Sequence, residues 1–296
     1  MISIITSLRN RAFLLDVSLH RICEELDWGP HSKLEINVGG GISEDNLAEV
    51  LARVSRTNTG RTVVCKKWDL PRSKSVYAHP FNCPAEEYNI LVKLASSEYI
   101  LKMDAEMFLV SETFIPEAYK LITSGSYIVM PLPLHTEYAP SSINESSDTI
   151  IKLSFANKYN THINPANAQT TNVYYMAMFK RTDYLNLGGV DERFVENGIG
   201  SEDDHMLSEW RRVYGQDKTR TLTEHRAIHQ WHGEWGRGVP QHLHRWVQAN
   251  ANLRHKLTGH KPNEGIEWGR LYEHITLTEW HNGEKVIDNK LLGELL

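Results

Sequence analysis

Cysteine is scarce in this 296-residue chain, with only Cys23, Cys65 and Cys83, odd in number and widely spaced. That excludes a disulfide framework, and without CxxC spacing a thiolate zinc site has no basis. Long apolar runs are also missing. The longest, such as Ile2–Ile5 and Ala12–Leu15, are far too short to span a bilayer. No basic leader precedes an apolar segment at the start, so the expected location is the cytoplasm, or the periphery of a membrane's inner face. Positive charge is not in excess: 32 Lys and Arg against 37 Asp and Glu give a formal charge of -5. That balance counts against a protein that tracks nucleic-acid phosphates. Neither GxGxxG nor Walker A spacing occurs, so Gly39-Gly40-Gly41 supports neither dinucleotide nor P-loop binding. Repeats, low-complexity tracts and linkers are absent. The reading is one compact unit with a C-terminal extension after about residue 236.

What is present is an alternation of strand-like and helix-like segments. Ile2-Ser3-Ile4-Ile5-Thr6 is β-branched and reads as a buried strand. Ala12–Leu26 places Leu15, Leu19, Ile22 and Leu26 on one helical face. Leu34–Val38 reads as a second strand, and Ser43 is placed to cap a helix over Glu44–Val54. Arg61–Cys65 predicts a strand, Glu86–Ala95 a helix and Tyr99–Met103 a fourth strand ending at Asp104. This rhythm predicts an α/β fold with a mostly parallel sheet flanked by helices, and ligands on such sheets bind beyond the carboxyl ends of the strands. The pattern dissolves over residues 131–172, which read as a long irregular segment. Val173–Phe179 then predicts a strand and Asp183–Leu187 a short helix. Glu202–Tyr214 predicts a helix with Met206, Leu207, Trp210 and Val213 as its apolar stripe, and Gln241–Leu257 a second amphipathic helix.

Three clusters carry chemistry. Asp104 and Glu106 lie two apart at a strand end, where an extended chain would aim both at one cation. The bland alternative is a solvated turn. Glu202-Asp203-Asp204 crowds three carboxylates at a predicted helix start. There they either complement the helix dipole or supply a general base. His225, His229 and His232 offer imidazoles to manganese or zinc, although the chain has 15 histidines and most cannot be ligands. Arg9 and Arg11 are placed to pair with a diphosphate through guanidinium forks, or simply form a surface turn. Trp231 is the one tryptophan assigned to the active face.

These segments resemble GT-A fold glycosyltransferases, particularly the family 2-like group. Ile2 through Arg11 is similar to the opening strand and nucleotide loop of that group. Tyr99–Glu106 resembles the strand leading to its DxD motif, here Asp104-Ala105-Glu106. Leu187-Gly188-Gly189-Val190-Asp191-Glu192-Arg193-Phe194 resembles its acceptor-side glycine turn, and Gly200-Ser201-Glu202-Asp203-Asp204 its acidic base motif. The last two also resemble the galactosyltransferase-like C-terminal subset. The loop after the second strand, Asn37 to Gly41, lacks the acid usual there. The resemblance implies a GT-A-like, Rossmann-type catalytic domain over residues 1–235, with a nucleotide-sugar half (1–110), an acceptor half (111–235) and a helical extension (236–296). It implies Thr6, Arg9, Arg11, Asn37 and Asp104 at the nucleotide-sugar, with Asp104, Glu106 and His229 or His232 at Mn2+ or Mg2+. Asp203 becomes the base, helped by Glu202 and Asp204. The expected activity is inverting, metal-dependent transfer from a nucleotide-sugar, UDP-linked by preference, to a hydroxyl of a carbohydrate or other acceptor, such as a glycan or polysaccharide precursor. A nucleotidyltransferase of related fold, a non-catalytic carbohydrate-binding protein and a glycosyltransferase acting on modified nucleic acid bases are the alternatives.

Overall fold

The structure, a computed structural model, describes residues 1–8, 10–40, 46–57, 60–70, 84–158, 174–197, 200–232 and 244–295. Strand β1 (Ile2–Ser7) is flanked by β2 (Lys33–Gly40) and β4 (Tyr99–Met103), both parallel to it, and β2 pairs in parallel with β3 (Thr62–Asp69). Between these strands lie α1 (Ala12–His20), continued by a π-helical turn at Arg21–Glu25, then α2 (Leu47–Val54) and α3 (Ala85–Leu94). The cause is visible in the burial. In α2, Leu47, Val50, Leu51 and Val54 form one buried stripe at helical spacing. In β1, Ile2 and Ile4 face one core while Ile5 faces the other, because successive side chains alternate across a strand. Helices α1 and α2, with α4 (Phe114–Thr123), cover the first face. Helices α3, α6 (Arg181–Leu187) and α7 (Glu202–Tyr214) cover the second.

The sheet continues past β4 through β7 (Met176–Lys180), β6 (Ile128–His135), β8 (Thr219–His229) and the short edge strand β5 (Met107–Leu109). At the other edge stand β9 (Thr276–His281), antiparallel to β3, and β10 (Glu284–Leu291). Following the pairings, seven of the ten strands run one way, and β5, β7 and β9 run against them. The sheet is thus mixed and mostly parallel.

Several expectations change in detail. The segment over residues 131–172 is not wholly irregular. It completes β6 and contains α5 (Ser147–Ala156), whose N-cap Ser146 accepts from the Thr149 amide; residues 159–173 lie outside the described residues. Val213 stands 46% exposed, so the buried stripe of α7 is Met206, Leu207 and Trp210. Ser43 lies outside the described residues. The C-terminal region supplies helix α8 (His244–Leu257), and beyond it the hairpin β9–β10, which adds to the central sheet.

The paired glycines have a structural cause. Gly188 and Gly189 adopt φ of 104° and 74°. A Cβ on Gly189 would stand 2.7 Å from the Trp268 ring and overlap the Asn89 amide. Asn89, fully buried, donates to Val190 O and Glu192 Oε1 (both 2.8 Å) and accepts from Val190 N (2.9 Å) and Tyr184 Oη (2.7 Å). Asn263 clasps the same turn, donating to Gly188 O (2.7 Å) and Val190 O (2.8 Å). The turn therefore ties α3 to the segment that leads into α7.

Candidate metal and transfer site

Glu106 meets the late histidines because of strand register. The chain leaves β4, turns at Asp104–Glu106 with Met107 N donating to Asp104 O (3.0 Å), and enters β5. In β5, Met107 pairs with His229 of β8. Gln230 extends this ladder, its amide donating to Glu106 O (3.1 Å). Its fully buried side chain donates to Ser18 Oγ (3.0 Å) and Glu106 O (3.1 Å), pinning the acidic turn to α1. Residues 229–232 are thereby delivered to the carboxylate.

Glu106 Oε1 accepts from Arg11 Nη1 at 2.8 Å and lies 3.6 Å from His229 Nε2 and 3.4 Å from His232 Nε2. Burial works against its ionisation, but the Arg11 guanidinium and the two imidazoles outweigh that and hold the carboxyl at about 2. Burial lowers His232 to about 4, against the pull of Glu106, so its ring is neutral at pH 7 and keeps a lone pair. Among the described residues, Glu106 Oε2 and both nitrogens of His232 have no hydrogen-bond partner. One ligand atom from each of Glu106, His229 and His232 lies within 4.8 Å of the others. One carboxylate and two imidazoles form a donor set suited to a divalent transition ion, and the orphaned buried atoms are what such an ion would satisfy. The His229 ring also stacks on His135 at 4.9 Å and meets Tyr175 edge-on at 5.5 Å.

Asp104 does not join this cluster. The expectation of two acids aimed at one cation assumed an extended chain, and the tight turn separates them. Asp104 Oδ1 accepts instead from Lys102 Nζ (2.6 Å) and Tyr88 Oη (2.8 Å). Lys102, only 3% exposed, also donates to Tyr174 O (2.6 Å) and sits 4.7 Å and 4.8 Å from the Tyr88 and Tyr174 ring centres. Nor does His225, which pairs with Glu117 of α4 at 3.0 Å, with Glu224 nearby. Thr6 and Asn37, expected at the nucleotide, are fully buried at the ends of β1 and β2, and Asn37 Oδ1 accepts from Trp68 Nε1 (2.9 Å). Neither side chain has exposed surface, and Asn37 Nδ2 has no hydrogen-bond partner among the described residues. Arg9 lies outside the described residues.

Glu202 and Asp203 of α7 lie within electrostatic reach of Lys102 and Asp104. Ser201 reaches φ 72° at the N-cap, after Gly200 at 101°, and the helix opens directly on Glu202. Burial, then the neighbouring Asp203 charge, pushes Glu202 up to about 8. Burial, then the Asp204 charge, raises Asp203 to about 6, while Lys102 pulls both down and Asp104 pushes both up. Asp203 Oδ1 accepts from Asp204 N (2.8 Å), and Asp204 Oδ2 pairs with Arg254 of α8 (2.8 Å). Asp204 is thus tied to α8. Sequence reasoning missed Lys102, Gln230, Tyr88 and Arg254. Only Lys102 left a signal, as a lysine inside an apolar strand. A surface cleft lined by Pro30, His31, Ser97, Tyr99 and Tyr119 lies at the amino ends of β1 and β4, the end of a parallel sheet that rarely carries chemistry.

No protein-family model and no curated protein matches the sequence. Solved structures match in fold. S. aureus TarS 1–349 in complex with UDP-GlcNAc aligns with a TM-score of 0.51 at 12% identity, over 85% of this chain and 65% of that one. The mannosyltransferase PcManGT from Pyrobaculum calidifontis, in complex with GDP-Man and Mn2+, gives 0.52 at 17%, over 86% and 69%. Against S. aureus TarS in a longer form, the chain covers 36% of its length. The likeness establishes the architecture: this chain has the mixed, mostly parallel sheet flanked by helices that GT-A glycosyltransferases share.

Proposed function

We propose that the protein is a metal-dependent glycosyltransferase that moves a sugar from a nucleotide-sugar to a hydroxyl acceptor. The observation that carries this reading is the pairing of two sites: the Glu106–His229–His232 donor set, and Asp203 at the start of α7 with its carboxyl raised to about 6. The fold supports it, since structures sharing that fold hold UDP-GlcNAc and GDP-Man. Manganese suits the two imidazoles better than magnesium does, and held there it would neutralise the diphosphate leaving group.

The chain's own residues do the rest. Asp203, ionised at neutral pH, takes the proton from the acceptor hydroxyl as its oxygen attacks the anomeric carbon and the nucleoside diphosphate leaves. One such displacement inverts the anomeric centre. Glu202, protonated at pH 7, is a hydrogen-bond donor for the acceptor. Asp204, paired with Arg254, fixes the start of α7. Lys102 neutralises Asp104 beneath them. The test is a panel of UDP- and GDP-sugars followed by nucleotide release, with and without manganese. Turnover that requires manganese, and a Glu106→Ala variant that loses the manganese enhancement of donor affinity, are the expected results. Equal donor affinity with and without chelator in both proteins would reject the metal assignment.

A further inference from the structure

Helix α8 carries a charge pattern unlike the rest of the molecule. From His244 to Asn263 the sequence contains Arg245, Arg254, Lys256, Lys261 and three histidines, and no Asp or Glu. Four formal positive charges there, in a chain of net -5, leave -9 for everything else. The helix is fixed beside the base motif at three points. A Cβ on Gly200 would stand 3.6 Å from Val247, Arg254 pairs with Asp204 at 2.8 Å, and the His205 ring contacts Leu257 O at 3.3 Å. Its apolar side is spent on these contacts: Leu257 is buried and Leu253 packs against the core.

The outward stripe is polar. His244, Arg245, Gln248, Asn252, His255 and Lys256 are all exposed. Positions 245, 248, 252 and 256 recur at intervals of three and four and so share one face. Arg245 and Lys256 stand ~16 Å apart at 1.5 Å per residue, so the surface spans a chain of several residues and exceeds a single sugar. Arg245 lies 4.5 Å over the half-buried Trp246 ring, which joins a cation to an aromatic surface within two residues of the Gly200 contact. A helix that lies on lipid needs an apolar face to insert, and the outward face of α8 has none. The Glu106–His229–His232 set, where a donor diphosphate would sit, lies at the start of β5 and the end of β8, whereas α8 contacts Gly200, Asp204 and His205 beside the candidate base and so adjoins the acceptor side.

We propose that the outward face of α8 binds a polyanionic acceptor glycan, one carrying phosphate or carboxylate groups along its length, and presents its hydroxyl to the α7 carboxylates. This rests on the glycosyltransferase reading. The charge-bearing groups turned out from α8 are Arg245, Lys256 and, beyond it, Lys261. Arg254 is committed to Asp204.

The experiment titrates the whole protein with an oligogalacturonate chain, an inorganic polyphosphate chain, a neutral malto-oligosaccharide of matched length, and phosphatidylglycerol vesicles. It is repeated at two salt concentrations and with the double variant Arg245→Glu/Lys256→Glu. The expected result is binding of the anionic chains over the neutral one, weakened by salt. The variant should bind them at least about tenfold more weakly while melting within about 2 °C of the parent. Equal binding of the neutral chain, an unchanged dissociation constant in the folded variant, or binding to vesicles alone would overturn the proposal. Nucleotide release from the UDP- and GDP-sugar panel is measured in parallel, with manganese and with the anionic and neutral chains present as acceptors. Its absence overturns the transferase reading itself, whereas its presence without charge-selective binding overturns only the role of α8.

Discussion

Which carboxylate of α7 is the base can be decided by pH. Asp203 is raised to about 6 and Glu202 to about 8, each chiefly by burial. At pH 7 a group titrating near 6 is about 90% ionised and one near 8 only about 10%. A base must be ionised to accept a proton, so with Asp203 in that role kcat/KM falls about tenfold between pH 7 and pH 5 and is flat from 7 to 8. With Glu202 in that role the rate instead climbs about tenfold between pH 7 and 9. The pair is coupled, and the profile reports its macroscopic steps. The variants make the test local. Asp203→Asn keeps the shape and removes the acceptor of the proton, at a cost of ~10²–10⁴ in rate, or about 3–5 kcal/mol, with donor affinity nearly intact. Lys102→Met removes a positive charge that lowers Asp203, so the acid limb moves to higher pH. Asp204→Asn removes the leading charge that raises it, so the limb moves to lower pH. The assay is nucleotide release with a cognate acceptor from pH 4.5 to 9.5, with the donor dissociation constant measured alongside. Near-normal turnover in Asp203→Asn, with loss in Glu202→Gln and a limb near 8, would refute the assignment.

Three further outcomes are expected. His229→Ala and His232→Ala should each weaken manganese binding about tenfold or more by manganese titration, while His225→Ala, at the Glu117 contact, should leave it unchanged. Asn89→Ala removes four hydrogen bonds, three of them buried, at the Gly188–Glu192 turn and Tyr184, and should cost about 2–4 kcal/mol in denaturant unfolding; a loss below about 1 kcal/mol would show that Asn263 holds the turn alone. For Glu35, burial opposes ionisation, but Lys66 and the hydroxyls of Ser3 and Ser96 hold the carboxyl at about 2 against an ordinary 4.5. The folded value is the lower one, so this group contributes about 3 kcal/mol above pH 4.5 that is lost as pH falls toward 2. Glu35→Gln should flatten the acid side of the stability–pH curve by about that amount.

Local pattern was enough for the left half of the sheet. In β1, β2 and β4 nearly every residue is buried, and the Ile, Leu, Val and Met among them mark the strands, while α2 and α7 declare themselves by spacing. The same pattern failed for β8, where Thr219–His229 mixes charged, polar and apolar residues. It failed also for β10, an edge strand almost wholly exposed. β10 has no buried face for the sequence to announce, and β8 buries Thr219, Thr221, His225 and His229 beside Leu222, Ala227 and Ile228, so burial there leaves no apolar alternation. The acids of α7 were legible as a cluster at a helix start, fit either to complement the helix dipole or to supply a base. Which of them is tied to α8 depended on Arg254, fifty residues further on, which pairs with Asp204. Likewise the sequence named Glu106, His229 and His232 as candidates one by one. Bringing them within 4.8 Å required β5 to pair with β8, and separating Asp104 from them required the chain to turn between β4 and β5. Residue types and spacing determine which groups can bind a cation or a proton. Which of them share a site is decided by strand register and by the competing partners that tertiary contact supplies, because hydrogen bonds and charge pairs act only at contact range.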